Sequence, residues 1–467
     1  MPSDTSHDND HEPAPVLDRR AVFAWALYDW ANSAYAIIVL AAVLPIFYGK
    51  YFSPVPPELL DALKNATDAT RAQAQAAVDA ATATTTLRWS LTNSVASLCS
   101  AIAAPILGAI ADRSGRRKRM LLMFAGIGSA ATVALVLIAQ GNWLGASLVY
   151  IVSGIGFAGA NVFYDALIIR VVHVDRRDMV SAIGFSLGYL SSGLTLALSL
   201  YIISDPTHIG LAADSGPLAV KICFLIVGLW WLLFSLPLIW WVGPDEPRPE
   251  FRLAGAVGPA FKEVIHTVKG LPKDRAVLIF LIAYWLYIDG VDTIIRMATS
   301  YGTGLGFDDT VMMKAFLLSQ FVAFPAALVY GRIGQWIGAK RALLGGVVAY
   351  CGITVGAYFM RAGVDMDFYA LAVGVGLVQG GIQALSRSFY STLVPPAKAS
   401  EYFGLYNLLG KSAAVVGPAL MGVIGSLTGD VRIGILSLIA LFVAGGITLL
   451  FVPTAAAHDP VTPEDAA

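Results

Sequence analysis

Charge is scarce in this chain. Asp, Glu, Lys and Arg make up 13% of its 467 residues, 57% are hydrophobic, and the mean hydropathy is +0.68. A soluble domain carries about 25% charged residues, so a water-facing globule is excluded. Cysteine is scarcer still. Cys99, Cys223 and Cys351 all fall within apolar segments, which argues against a disulfide framework and for small buried hydrophobes. A net charge of -1, with the cations gathered in turns, leaves no nucleic-acid footprint. No metal-ligand spacing, nucleophile elbow or phosphate loop occurs, so neither a metal, a cofactor nor an enzyme's chemistry is expected. The first eighteen residues are polar and acidic, without the basic start of a cleavable leader, and His7 and His11 there read as part of a solvated tail.

Apolar runs are abundant instead. A bilayer core of about 30 Å takes roughly 20 helical residues. Runs of that size lie near 20–48, 88–110, 120–140, 144–168, 179–203, 218–242, 276–300, 311–333, 341–360, 367–390, 402–427 and 432–453. The expected fold is therefore an all-α polytopic membrane protein of twelve transmembrane helices in two pseudo-symmetric six-helix halves. Residues 1–18 form a disordered cytoplasmic tail, 19–242 the first half, 243–275 a cytoplasmic linker, 276–453 the second half and 454–467 a second tail. The long external loop 50–87 starts with Pro54, Pro56 and Pro57, and its Ala- and Gln-rich run predicts a helical cap over the first half. Its Asn65-Ala-Thr67 sequon is of a kind that arises by chance, and the Ala-rich chain reads as bacterial. In the linker, part of 257–269 is expected to lie along the membrane surface, its charges forming a solvated face.

Two turns stand out. Gly108-Ala-Ile-Ala-Asp112-Arg-Ser-Gly115-Arg116-Arg117-Lys118-Arg119 packs five cations between two apolar runs. Shifted by 223 residues, Gly331, Gln335, Gly338 and Lys340 fall on Gly108, Asp112, Gly115 and Arg117. Such clusters are costly to translocate and set the orientation. With both termini cytoplasmic, 21 cations lie on that side and eight on the other, and Arg296 and Lys411 inside helices complete the 31. The glycines let helix ends approach closely, and Asp112 can pair with a cation or cap a helix. A conformational gate is expected here from Gly108, Asp112, Gly115, Arg116, Arg117, Gly331, Gly338 and Lys340. Asp165 and Arg170, at the end of the fourth helix, are expected to join Asp112 in it.

Polar groups at membrane depth are costly and face a cavity or a partner. Asp29 and Asn32 occupy the first helix, and a shift of 260 residues brings them onto Asp289 and Asp292 of the seventh. Asp29 suits either solute contact or a gate. Asp289, Asp292 and Arg296, three and four residues apart, share a helical face with Tyr287 nearby. An Asp292–Arg296 pair would leave Asp289 as the free carboxylate for solute or proton. Lys411, one turn from Asn407, either binds an anion or neutralises an acid, and Gln379 and Gln383 either touch solute or cross-link helices. Gly154-Ile-Gly156-Phe-Ala-Gly159 has the spacing of a dinucleotide loop but lies within an apolar span, so helix packing explains it.

The basic turn and its copy resemble the G-x-x-x-D-x-x-G-R-R/K loop signature of the major facilitator superfamily. Trp25-Ala-Leu-Tyr-Asp-Trp-Ala-Asn-Ser-Ala-Tyr35, Ala283-Tyr-Trp-Leu-Tyr-Ile-Asp-Gly-Val-Asp-Thr293 and Phe403-Gly-Leu-Tyr-Asn-Leu-Leu-Gly-Lys411 are similar to its vacuole-effluxer-like branch, the autophagy-related amino-acid effluxers. Phe163-Tyr-Asp165-Ala-Leu167 departs from that branch, with Asp where Asn is expected. The resemblance implies secondary transport, with amino-acid efflux from vacuoles attributed to fungal members, and carries over no solute-binding residue. The function read from the chain is alternating-access export or exchange of a small polar or zwitterionic solute, amino acids included, driven by protons. The rival reading is a non-transporting receptor or scaffold that retains the fold. The expected setting is the bacterial inner (plasma) membrane, as a monomer whose partners are lipid, small solute and protons.

Overall fold

The computed structural model describes residues 18–248, 255–413 and 416–453, with the side chains of Asp309, Lys411 and Ala413 left aside. The expected tails, 1–18 and 454–467, lie outside the described residues apart from Asp18, as does part of the linker. Eleven helices are long and apolar enough to cross a membrane. These are α1 (Arg19–Phe52), α2 (Asp68–Ser114), α3 (Arg117–Leu137), α4 (Trp143–Val171), α5 (Val174–Ser204), α6 (Gly216–Trp241), α7 (Arg275–Gly304), α8 (Thr310–Ile337), α9 (Ala339–Tyr358), α10 (Asp365–Leu393) and α12 (Val431–Leu450). Between α10 and α12, α11 runs in two described segments, Ala399–Ala413 and Val416–Thr428.

In lipid every backbone polar group must be satisfied within the chain, which is why apolar runs of this length become helices. Their ends are set by local chemistry. Asp18 accepts from the N–H groups of Arg20 and Ala21 at the start of α1. Gly115, at φ 66°, turns the chain out of α2. Where α3 and α4 cross, a Cβ on Gly156 would stand 2.6 Å from Gly128 Cα. Only glycine allows that approach, so the Gly-rich run of α4 is packing, as its apolar setting predicts.

The expected cap over the first half is not formed. From Asp68 the run is one continuous helix of 47 residues into the membrane, about 70 Å long at 1.5 Å per residue. Strong helix formers without a breaker continue the fold of α2 outward as a stalk, largely exposed and braced by the short helix Pro57–Lys64. The cysteines also differ from expectation: all are free, but only Cys223 is buried, and Cys99 is exposed on α2.

The two halves, α1–α6 and α7–α12, pack across α2 with α11, α4 with α11, and α5 with α8 and α10. Among the described residues, each hydrogen bond joining the halves lies beside a central cavity or between it and the face carrying the basic turns. That face is therefore shut.

Candidate functional site

The closure is built where α2 meets α11. A Cβ on Gly108 would stand 2.1 Å from the Ser400 carbonyl oxygen, and one on Gly404 2.5 Å from Pro105 Cα. Asp112 then caps α11 from the other half of the molecule. Its Oδ1 accepts from Ser400 N at 3.2 Å and its Oδ2 from Glu401 N at 2.9 Å. A carboxylate at orphan N–H groups of a helix start is favoured by both hydrogen bonding and the dipole. Arg117 holds the same carboxylate at 2.7 Å and donates to the carbonyls of Pro396 and Ala397. Arg116 is half-buried just before α3. In the second copy, Gly331 packs on Ala182, Gly338 turns the chain at φ 88°, and Lys340 donates to the Leu450 and Val452 carbonyls at the end of α12. These contacts are closing geometry in the first copy, whereas in the second Gly331 meets the other half and Lys340 stays within its own.

Two expected members of this network sit elsewhere. Arg170 reaches the linker, donating to the Pro244 carbonyl and facing Asp245 at 3.8 Å and Glu246 at 3.6 Å. Asp165 points the other way, into the cavity. One turn and a half separates the two on α4, so they cannot both face Asp112.

The cavity, about 400 Å³, lies between the halves. At its floor is Arg387 of α10, 2% exposed. Its NH2 lies 3.2 Å from Asp29 Oδ2 and its NH1 3.3 Å from Asp165 Oδ1. Nε donates to Ser181 Oγ at 2.9 Å, and NH2 to the Ser181 carbonyl at 3.1 Å. Phe185, Trp25 and Tyr164 pack on the guanidinium, with its carbon 4.3, 4.7 and 5.0 Å from their ring centres. The acids are held in turn: Tyr164 Oη donates to Asp29 at 2.8 Å and Asn407 Nδ2 to Asp165 at 2.9 Å. Gly184 makes room, since a Cβ there would stand 2.7 Å from Asp29 Oδ2. A planar fork with five donors suits this arrangement, in which one cation from the second half serves two acids of the first.

Sequence reasoning missed Arg387, because the charge count takes only Arg296 and Lys411 as intramembrane. The signal was present: Gln379, Gln383 and Arg387 recur every four residues and share one face of α10. Both glutamines do line the cavity, and Gln383 also cross-links the halves by accepting from Tyr189 Oη at 2.6 Å. Asp29, Asn32, Asp292 and Asn407 line it too, and Asn32 donates to Asn161.

On α7 the expected roles are exchanged. Asp289, 1% exposed, turns to α11, where its Oδ2 accepts from Gly417 N at 2.9 Å. It is thus committed to the second segment of α11, and Asp292 is the carboxylate in the cavity. Positions three apart on a helix differ by about 60° in direction, enough to part them. No Asp292–Arg296 pair forms within ion-pair distance, and Arg296 is exposed. Tyr287 is buried away from the cavity, its Oη 2.6 Å from Ser386 Oγ. The Lys411 side chain lies outside the described residues. Among those residues no cluster could hold a metal ion.

The family described as "Vacuole effluxer Atg22 like" matches residues 17–459. The "Uncharacterized MFS-type transporter YxiO" of Bacillus subtilis (strain 168) is 39% identical over 445 residues, covering 93% of this chain and 95% of that protein. Autophagy-related protein 22 of Eremothecium gossypii is 26% identical over 349 residues, 68% of this chain and 67% of its own. Among solved structures, the human organic anion transporter MFSD10 (TETRAN) superposes with a TM-score of 0.64 at 15% identity, covering 92% of this chain and 99% of that one. The proton:xylose symporter XylE gives 0.65 at 13%, with 94% and 96% covered, and supports the same fold. The relatives and the superposing structures are transporters rather than enzymes, and the chain belongs to the vacuole effluxer Atg22-like family of integral membrane transporters, with the major facilitator fold.

Proposed function

We propose that the protein is a proton-driven secondary transporter that exports or exchanges a small zwitterionic solute, amino acids included, across a bacterial plasma membrane. In this reading the basic face and both termini are cytoplasmic, and the closed basic face is the outward-facing state. The observation that carries it is the Asp29–Arg387–Asp165 cluster on the cavity floor.

Opening the basic face separates α10 from α1 and α4, and so takes Arg387 away from its two acids. Stripping a buried ion pair of one partner costs about 3–5 kcal/mol. Something must replace the lost charge. A solute ammonium or a proton can stand in at Asp29 or Asp165, and a solute carboxylate at Arg387. An amino acid carries both groups, and a cavity of about 400 Å³ is of the size that holds a small molecule. Gln379, Asn161 and Asp292 then offer further hydrogen bonds to its side chain.

The test is purified protein in sealed proteoliposomes with a mixture of labelled amino acids and an imposed pH gradient. Accumulation that collapses with a protonophore is expected, and Asp29→Asn with Asp165→Asn, which removes both acceptors for an ammonium or a proton, is expected to lose accumulation and exchange alike. Absence of any solute movement under either condition would leave a receptor or scaffold.

A further inference from the structure

The segment joining the halves forms a helix, Val257–Gly270, with three faces. Ala260, Val264 and Thr267 are buried against the protein. Lys262, His266 and Lys269 are exposed, with Lys273 just beyond. The third face carries Val257, Phe261, Ile265 and Val268, each one turn from the next and between 39% and 61% exposed. Four large apolar side chains in one exposed stripe demand a partner.

The position of the helix selects that partner. Glu263 faces Arg113 at the end of α2 at 3.5 Å and Lys398 at the start of α11, also at 3.5 Å. The helix therefore lies level with the ends of the spans on the basic face. Exposed Trp240 and Trp241 on α6 and Trp336 on α8 sit at that same end, as aromatic residues do at a membrane interface. An apolar stripe at that depth meets acyl chains, and lysines beside it meet headgroups. Because Arg113 belongs to the first half and Lys398 to the second, the one glutamate fastens both across the closed face.

We propose that Val257–Gly270 is a lipid-seated staple: its apolar stripe lies in the leaflet at the basic face, its lysines engage anionic headgroups, and Glu263 ties Arg113 to Lys398. Anionic lipid thereby favours the closed basic face. This rests on the fold alone and survives any identity of the solute.

The experiment uses the full chain in nanodiscs of phosphatidylcholine, with and without phosphatidylglycerol. A nitroxide at Ile265→Cys should be more accessible to oxygen than to a nickel chelate, and one at His266→Cys the reverse. A label pair at Arg119→Cys and Arg341→Cys, both exposed on the basic face, reads the closed and open populations. Phosphatidylglycerol should raise the closed share. Glu263→Gln should lower the closed-to-open ratio by about threefold, the worth of modest surface ion pairs, and blunt the response to lipid. Phe261→Ser with Ile265→Ser should blunt it without touching the ion pairs. A water-exposed label at position 265, a label immobilised only on self-association, or populations indifferent to phosphatidylglycerol would each overturn the staple.

Discussion

Replacing Arg387 by Gln removes the cation that two buried acids share. Asp29 is 8% exposed and Asp165 7%, so neither can recover its hydration by turning to bulk water. The donors lost are Nε to Ser181, the two terminal nitrogens to the acids, and the stacking on Trp25, Tyr164 and Phe185. Gln can restore one of these bonds at most. Leaving buried charges uncompensated costs about 3–5 kcal/mol, and about 1.4 kcal/mol is a factor of ten in an equilibrium. The cluster exists only while α10 meets α1 and α4, so the whole penalty falls on the closed basic face. The closed-to-open ratio should fall by two to four orders of magnitude on that scale, or by less once one acid takes up a proton. The assay is the distance distribution across the basic face, together with thermal melting in the same detergent. Neutralising all three, with Asp29→Asn, Asp165→Asn and Arg387→Gln, removes the stranded charges and should restore much of the closed population while abolishing proton coupling. Should Arg387→Gln keep a normal closed population and melting point, the cluster does not hold the gate and the argument fails.

Other substitutions separate the roles assigned here. Asp289→Asn keeps an acceptor for Gly417 N but loses its charge at the helix start and the second oxygen that accepts from Thr293 Oγ1, so melting should fall by the equivalent of about 1 kcal/mol with the pH profile of transport unchanged. Asp292→Asn, on the cavity wall, should instead weaken solute affinity at unchanged melting, read by exchange kinetics. Gly108→Val places a side chain where Ser400 backbone stands, so α2 and α11 cannot close and cysteines on the basic face should become reactive without loss of insertion. Gly184→Ala intrudes on Asp29, Tyr164 and Arg387 together and should reproduce part of the Arg387→Gln phenotype, as a smaller shift in the same distance distribution.

The helices were legible because the bilayer leaves the chain few choices. A run of apolar residues must bond its own backbone, so hydropathy alone marks the eleven long spans. The stalk was misplaced for a related reason. Hydropathy stops at the membrane, but helix propensity does not, and nothing between Asp68 and Arg88 breaks the helix that α2 begins. Asp112 was legible as a helix cap or ion-pair partner, and it is both. Which helix it caps was not, because α11 lies 288 residues away.

The intramembrane charges show where one-dimensional reading ends. Spacing states that Asp289, Asp292 and Arg296 share roughly one face, yet a rotation of about 60° decides whether a carboxylate meets a cavity or a neighbouring backbone. That rotation is fixed by packing: Gly417 brings α11 close enough for Asp289 to cap it, and a Cβ there would stand only 2.0 Å from Thr293 Oγ1. Arg387 poses the converse problem. It lies near a helix end, where an arginine is cheap and ordinarily reaches for water. What buries it is the packing of α5 on α10 at the closed face, held by Ser181 bonding the Ala384 carbonyl and Ser388 bonding Asp178. The burial of Arg387 thus comes from the packing of α5 on α10 rather than from its place along the helix. If the halves rock as the proposed transport cycle requires, a residue buried this way must exchange its partners in every cycle. The two acids facing it give that exchange its chemistry.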